Sequence, residues 1–478
     1  MNDLIVYGVR LAVTKSELIM EILRELRVAQ NQKWKPPTAG RVRRIVFPER
    51  LWLGDGRSLL ATEAMLKAVS DYALILWEND QKLKPRFKID ELCQVAGRSF
   101  AVALSEIDLD LDDDQLQLIV SARVTDLLAE QIGQYNRPID LTLGCHLIEG
   151  NGPYPLEVGP VRFEARELWR QRMLAAGKLS PITARRLLMR WNGKPLRKRV
   201  PSFDSSAEDA ILDAIGECPV VCSVATDGLS GKYLQEKGLL TARLAMAAIS
   251  LMWDRPSDGL RWMRLLYDRR RSHRHTVLFG SNAKVGSSSE RADFPTGRYS
   301  EPELEESLSS YRWLFDQIGE ALDGYVQPSQ PVARPKVMSA LFLSLWWFHE
   351  ACREPLDQIA TTKFAASMDA LAADKKASGI VKLIGARLGA MPHDALMKDG
   401  RTTKAVIAQI YDAGRSRFIH GSSADYAHDW APVRQSAEAV GRWLLVSCCD
   451  CLSQNPKIRD LEELGERISD AAGEAAYS

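Results

Sequence analysis

The chain lacks the features that would direct it to a membrane or mark it globally as a nucleic-acid-binding protein. Its 63 Lys and Arg are balanced by 62 Asp and Glu, so a net charge of +1 gives no overall preference for anionic partners. The longest mostly apolar stretch, residues 337–348, is too short to span a bilayer. The first residues show no basic start followed by an apolar run. We therefore predict no membrane partner and no secretory signal.

The eight cysteines include no paired C-x2-C sets, and three of them crowd one predicted helix, where they cannot all pair with each other. This usage favours a reducing, cytoplasmic location. Cys218 and Cys222 have no second ligand pair nearby that would complete a zinc site. The acidic run at residues 108–114 lacks the Gly and Glu of an EF-hand, and residues 228–233 lack the spacing of a phosphate loop. We predict neither a metal nor a cofactor.

A length of 478 residues with 46% hydrophobic and 26% charged residues predicts a globular protein of two or three domains. Residues 1–200 mix helix and strand signals. Residues 59–77 have a helical pattern, residues 138–148 have strand character, and Asn151-Gly152 is a hairpin-turn signal that would return the chain as a partner strand over residues 154–163. An N-terminal mixed α/β (α+β) domain is predicted.

The rest of the chain is predicted to be mostly α. Residues 201–334 form a largely helical middle region with a helix over 234–253 and an exposed Gly- and Ser-rich loop over 281–300. Residues 335–456 have the pattern of a helical bundle, and residues 457–478, with a net charge of −3, have the pattern of an acidic terminal helix.

One short segment carries the chemistry: Arg415 and His420 lie five residues apart where a helical pattern ends. A guanidinium can hold a phosphate bidentately, and a histidine titrates near neutrality, so the pair has what metal-free RNA cleavage needs. Upstream, apolar residues at three- and four-residue intervals predict one buried helix face, which comprises Val406, Ile407, Ile410, Tyr411, Gly414 and Phe418.

Five residues on a straight helix turn roughly 500°, so both side chains can face one phosphate only if the helix ends between or at them. Gly421 is placed to cap that end, and Pro432 suits the first turn of the next helix. At a helix C-terminus the dipole would raise the pKa of His420. The competing interpretation is an ordinary surface helix end, where Arg and His are common for the same electrostatic reason.

Two other Arg/His spacings occur. Arg387 and His393 straddle Gly389 and Pro392, so a helix break is predicted between them. The cluster at residues 269–275, which includes Arg270, could hold phosphate, but it is more typical of a solvated basic helix end. Both are weaker candidates than Arg415 and His420.

Residues 335–454 resemble the HEPN superfamily, in particular its Apea-like branch. The match lies in the run 340–350, which is similar to the first long helix, in residues 363–371, which are similar to the second, and in residues 433–452, which are similar to the helix that closes the bundle. Arg415-Ser416-Arg417-Phe418-Ile419-His420-Gly421 is similar to the signature Arg, polar residue, variable stretch, His. The residue after the Arg is frequently Asn, Asp or His in the superfamily, and Ser416 departs from that pattern.

The resemblance implies an all-α bundle that dimerises so that two Arg/His pairs share one cleft and cut RNA without a metal, often as a toxin or antiphage effector. In that mechanism His420 is the general acid and base, Arg415 holds the phosphate, and Ser416 supplies a supporting hydrogen bond, with Arg417 beside them. The alternative is a non-catalytic HEPN module that binds RNA, a nucleotide or a protein partner.

A second nucleic-acid signal lies in residues 166–199, which hold eleven Lys or Arg against one acid, Glu167. Two amphipathic helices would carry these cations on their outer faces, with Trp169 and Trp191 available to stack bases. The phosphate-binding candidates are Arg185, Arg186, Arg190, Arg197 and Arg199. The competing interpretation is that the Trp residues are core and the Arg residues are solvated or paired with acids elsewhere in the chain.

A homodimer is predicted for a chemical reason as well. One His must otherwise act as base and then as acid in a single displacement, whereas a second copy across a two-fold axis supplies the missing partner. Gly414, Phe418, Trp430 and Trp443 are the small and aromatic residues that such a contact would use.

Overall fold

A computed structural model describes residues 13–31, 49–148, 152, 154–268, 273–279, 285–291, 301–416 and 428–466. The described residues are mostly helical, which confirms the mostly-α expectation. The described residues within Met1–Ile139, Asp227–Glu236 and Gln327–Ser329 form one compact unit, and those within Asp140–Thr226, Lys237–Val326 and Gln330–Ser478 form the other. No helix in this part of the chain combines the length and the apolar character that crossing a bilayer requires.

The first unit is built on four helices and a short antiparallel strand pair. Its elements are α1 (Lys15–Asn31), β1 (Arg50–Trp52), β2 (Ser58–Leu60), α2 (Glu63–Asn79), α3 (Ile89–Ser105) and α4 (Asp113–Gly133). Their apolar faces share one core, in which Phe87 and Phe100 are fully buried. The acidic run at 108–114 starts a helix: Asp112 caps α4 by accepting from the backbone N–H of Asp114 and Gln115.

The second unit contains a five-stranded sheet. Its strands are β3 (Pro138–His146), β4 (Leu156–Val158), β5 (Val161–Ala165), β6 (Val220–Asp227) and β7 (Arg264–Leu265), in the spatial order β4-β5-β6-β3-β7. The strand predicted over 138–148 is confirmed, but its predicted hairpin partner is wrong. The apolar run of β6 is buried over Val220–Val224 and lies between β3 and β5, so residues 161–165 pair with β6 instead, with Phe163 opposite Cys222.

This pairing also explains why the compact units do not divide near residue 200. Strands on both sides of that position belong to one five-stranded sheet of the second unit, whereas the first unit combines its helices with the β1–β2 pair. Strand β8 (His273–Phe279) pairs antiparallel with β9 (Val285–Arg291), so the predicted loop over 281–300 contains a strand, and residues 273–275 belong to a strand and not to a helix end. Strand pairing joins segments that are separated along the chain, so the composition of one segment does not show which other segment it pairs with.

The helices of the second unit are α5 (Arg166–Ala175), α6 (Pro181–Trp191), α7 (Phe203–Ile215), α8 (Gly231–Ser250), α9 (Pro256–Trp262), α10 (Glu301–Ser310), α11 (Arg312–Val326), α12 (Pro335–Cys352), α13 (Asp357–Leu371), α14 (Lys376–Leu388), α15 (Thr403–Ile407), α16 (Ala431–Gln454) and α17 (Leu461–Leu464). Helix α8 begins in residues that belong to the first unit. In the predicted acidic tail, α17 has four residues, and residues 467–478 lie outside the described part of the chain.

The predicted bundle helices are confirmed as α12, α13 and α16. Phe348 of α12 and Phe364 of α13 are fully buried with their ring centroids 5.2 Å apart, and Gly441 of α16 packs against both rings. The close approach at Gly441 leaves no room for a larger residue without displacing Phe348. Helices α14 and α15 complete the same hydrophobic core. This bundle carries the segment with Arg415.

Candidate active site around Arg415

Arg415 lies near the end of a π-helical segment, Ala408–Ser416, that continues directly from α15. The predicted buried face is confirmed for Val406, Ile407, Ile410, Tyr411 and Gly414. The segment differs from the predicted α-helix in its i→i+5 hydrogen bonding. Such π-helical turns are rare in proteins, and those that occur are often found at functional sites. Three-residue and four-residue apolar spacing does not distinguish the two forms, so the sequence could not have shown it.

The Arg415 side chain contacts two residues of the bundle, Tyr411 and Asp369, through its guanidinium. Its Nη1 donates to the hydroxyl of Tyr411, and its guanidinium carbon lies 4.9 Å from the centre of the Tyr411 ring. Its Nη2 lies 3.6 Å from Oδ2 of Asp369 on α13. The side chain nevertheless keeps 30% of its surface exposed. Arg415 is therefore positioned and accessible at the same time.

Asp369 anchors this arrangement. Its side chain is 9% exposed; Oδ1 accepts the backbone N–H of Lys376 at 3.0 Å, and Oδ2 accepts the hydroxyl of Tyr411 at 3.1 Å. Burial, together with the negative charge of Asp369, raises the pKa of Tyr411, so its hydroxyl stays protonated and can donate to the carboxylate. Arg415 therefore donates a hydrogen bond to Tyr411, which in turn donates to the buried carboxylate of Asp369, and the ion pair with Asp369 adds a second restraint on the guanidinium.

Of the other residues predicted for this site, some belong to the described part of the chain and some do not. Ser416 is half-buried at the last position of the π-helical segment, directly after Arg415. His420, Arg417 and Arg270 lie outside the described residues. Pro432 opens α16 at its first turn, as predicted.

Three residues predicted for a dimer contact, Gly414, Trp430 and Trp443, are packed within their own chain. A Cβ on Gly414 would lie 2.8 Å from Cγ2 of Thr361 on α13 and 3.6 Å from the ring of Trp430. Gly414 is therefore the close-packing point between the π-helical segment and α13. Trp443 is half-buried against the same core. Phe418 lies outside the described residues.

The helix break predicted between Arg387 and His393 is confirmed. Helix α14 ends at Gly389, whose φ of 73° is the left-handed conformation that favours glycine. Arg387 donates to Sγ of Cys451 and to the backbone carbonyl of Glu466, whereas His393 is exposed on the following loop. These two residues do not form a site.

The basic segment, residues 166–199, splits into paired and exposed cations. Carboxylates from outside the segment neutralise part of it: Glu164 binds Arg172, Asp140 binds Lys178, and Glu208 on α7 binds both Arg186 and Arg199. Arg186 and Arg199 thus lie at the α6–α7 junction as structural ion pairs. Arg185, Arg190 and Arg197 are exposed, and no ion pair involves them in the described part of the chain.

The expectation that the Trp residues of this segment stack bases is wrong. Trp169 is 2% exposed in a small core with Leu187 and Ile215, and Trp191 is half-buried beneath the guanidinium of Arg166 at 4.7 Å. Large aromatic side chains on amphipathic helices bury more apolar surface by facing the core.

One charged cluster was missed by sequence reasoning. It lines a cavity of about 360 Å³ between α8, α12 and α13, and it comprises Arg243, Asp268, His349, Glu350, Arg353, Glu354 and Lys363. Asp268 is bound by Arg243 at 2.5 Å and by Arg353 at 3.4 Å. A guanidinium only donates, so Nε2 of His349, 3.3 Å from Arg353, accepts, and Nδ1 donates to Glu350.

Burial lowers the pKa of His349, which keeps it neutral between these charges. Three cations face three carboxylates in this cluster, so its charges balance. Both ring nitrogens of His349 are hydrogen-bonded, so His349 is not free to act as a general base. The cluster therefore connects α8, α12 and α13 and has a structural role. His349 and Arg353 lie four residues apart at the end of α12, a spacing that predicts from the sequence alone that the two side chains are neighbours. Asp268 and Arg243 come from distant parts of the chain, and nothing local indicated them.

No protein-family model, curated protein or solved structure matches this chain. The HEPN resemblance therefore stays a prediction from the sequence.

Proposed function

We propose that this protein is a metal-independent endoribonuclease in which Arg415 binds the scissile phosphate and His420 transfers protons. The ribose 2′-hydroxyl attacks phosphorus, the bond to the 5′-oxygen breaks, and the products are a 2′,3′-cyclic phosphate and a 5′-hydroxyl. His420 takes the proton of the nucleophile or supplies one to the leaving oxygen. Ser416 adds a hydrogen bond to a phosphate oxygen.

The observation that supports this proposal is the orientation of the Arg415 side chain by its contacts with Tyr411 and Asp369. Electrostatic catalysis works best when a charged group is oriented before the substrate arrives, because the orientation then costs nothing in the transition state. Asp369 and Tyr411 provide that orientation from a packed bundle, and the guanidinium keeps 30% of its surface exposed to meet a phosphate. A physiological role as a toxin or antiphage effector comes from the HEPN resemblance alone.

One observation favours the non-catalytic alternative. Asp369 lies 3.6 Å from the guanidinium and already compensates part of its charge, which weakens the attraction for a phosphate. A protein that holds RNA or a nucleotide loosely without cutting it would tolerate this arrangement. The two functions differ in whether phosphodiester bonds break.

Cleavage of total cellular RNA separates them. We expect the wild-type protein to cut RNA equally well with and without EDTA. His420→Ala, which loses the acid–base group, and Arg415→Ala, which loses the phosphate-binding charge, should each lower cleavage by at least about a hundredfold. His393→Ala is the matched control, because His393 is exposed on a loop and joins no site. Activity that is lost on chelation and restored by a divalent ion would contradict the mechanism, and RNA binding without cleavage would favour the alternative.

A further inference from the structure

The stretch Pro181–Phe203 contains seven Lys or Arg and no Asp or Glu. Two of the seven, Arg186 and Arg199, are bound by Glu208, with Arg199 also 3.0 Å from Asp204. The other five are exposed and have no ion-pair partner in the part of the chain that the structure describes: Arg185, Arg190, Lys194, Arg197 and Lys198. Three of them, Lys194, Arg197 and Lys198, lie on the segment that joins α6 to α7, and we call this segment, with Val200 and Phe203, the α6–α7 basic surface.

Large apolar side chains are exposed along the same stretch of the chain. Phe203 is 89% exposed, the highest value for a large apolar side chain in the described residues, and Val200 is 80% exposed. Ile182, at the start of α6, is 63% exposed. Solvent contact with so much apolar surface has a free-energy cost that a bound partner would remove.

The surface is held in a fixed shape before any partner binds. Ser202 and Ser205 form a reciprocal capping box, which sets the start of α7 and so places Phe203 in its first turn. Glu208 draws Arg186 of α6 and Arg199 of the connecting segment onto α7. Pre-organisation of this kind lowers the ordering cost of binding.

We infer that the α6–α7 basic surface binds single-stranded nucleic acid, with a base stacked on Phe203 and the cations on the phosphates. An aromatic ring beside a groove or patch of cations is the combination that recognises unpaired strands, because each base offers a flat face and each linkage a charge. A duplex keeps its bases stacked on one another and cannot offer a face to Phe203. The inference rests on the proposed function only in naming RNA as the natural strand.

An anionic membrane is the other surface that basic and apolar residues fit. A membrane-binding helix shows a continuous apolar face. Here the apolar face of α6, with Ala184 and Leu187, is buried in the protein, and the exposed residues Val200 and Phe203 lie at a junction. The arrangement favours stacking on bases over insertion into lipid.

The test is fluorescence anisotropy of a labelled twelve-residue oligouridine with the full-length His420→Ala protein, so that cleavage does not interfere. We expect Phe203→Ala to weaken binding by about tenfold or more, in line with loss of one stacked base, and Phe203→Trp to retain it. Tyr267→Ala is the matched aromatic control, because Tyr267 is 64% exposed and lies outside the surface.

Replacing Arg197 and Lys198 together by Gln should reduce the slope of log affinity against log salt by about 1.4, since each phosphate contact on a single strand contributes about 0.7. Equal affinity of Phe203→Ala and its parent, or binding of a duplex as tight as that of the single strand, would overturn the inference. Loss of sedimentation with phosphatidylserine vesicles in Phe203→Ala, with oligouridine binding unchanged, would assign the surface to lipid. Failure of wild-type protein to cut RNA would remove the proposed function and leave this binding result standing.

Discussion

At the scale of single residues, the orientation of the Arg415 guanidinium is set by two neighbours, Tyr411 and Asp369, to which we assign no contact with RNA. Tyr411 stacks against its guanidinium and links it to Asp369, whose carboxylate is buried on α13. A buried carboxylate needs its partners, because leaving it with fewer hydrogen bonds carries a desolvation cost of about 1–3 kcal/mol or more. The protein therefore gains stability from the same contacts that orient Arg415.

The first prediction concerns Tyr411→Phe. The substitution removes the hydroxyl that links Asp369 to Arg415, and it keeps the ring beneath the guanidinium. We expect RNA cleavage to fall by about tenfold through a lower kcat, because Arg415 is less well oriented in the transition state. The free energy of unfolding should fall by about 1–2 kcal/mol.

The matched control is Tyr267→Phe, which removes an exposed hydroxyl far from Arg415 in sequence. A purely structural role for Tyr411 would lower the melting temperature and leave kcat at permissive temperature unchanged. That outcome would separate the support of the fold from the positioning of Arg415.

At the scale of elements, the π-helical segment Ala408–Ser416 and α13 meet at Gly414. The methyl group of Thr361 occupies the space where a Cβ at position 414 would lie, at 2.8 Å. That distance is shorter than real contacts allow, so any larger residue must displace the Thr361 side chain or the elements that carry the two residues. Since Arg415 follows directly and Asp369 lies on α13, the packing at Gly414 also sets the distance between these two charges.

The second prediction is a double-mutant cycle at this contact. Gly414→Ala should destabilise the protein by about 1–3 kcal/mol, as overpacking does, and should reduce RNA cleavage. Adding Thr361→Ser removes the obstructing methyl and keeps the hydroxyl that donates to the carbonyl of Asp357, so it should recover most of both losses.

Thr361→Ser alone is the control and should change stability by less than about 1 kcal/mol. The melting temperature and the initial rate of RNA cleavage report the two effects. Strictly additive losses in the double mutant would show that the contact with Thr361 does not set the fit of Gly414.

At the scale of the whole molecule, the third prediction is that activity needs a homodimer with two Arg415/His420 pairs in one cleft. Subunits of wild type and His420→Ala should be mixed under conditions of exchange, with the inactive protein in excess. If both copies contribute a proton-transfer group, activity should fall below the value expected from dilution alone. Light scattering that finds a fully active monomer at assay concentration would rule this out.

The sequence by itself determined the helices of the bundle and the buried face that precedes Arg415. Residues 335–352, 357–371 and 431–454 are long periodic segments, and Gly389 is a strong stop signal; such patterns are local, so a single chain displays them. The Arg/His motif is equally local. The strand at residues 138–146 was legible for the same reason. The helix start at Asp112, which caps α4, was not predicted.

The tertiary structure alone decided which strand pairs with which and which charges meet. Strand β6 begins at Val220, 74 positions after β3 ends at His146, yet it lies beside β3 in the place predicted for a local hairpin partner, because its apolar run is best buried at the centre of the sheet. Glu208 forms ion pairs with both Arg186 and Arg199, and Asp369 reaches Arg415 from a different helix. Electrostatic and packing energies depend on distance in space, so charges and apolar faces that are far apart in sequence acquire their roles only when the chain is folded.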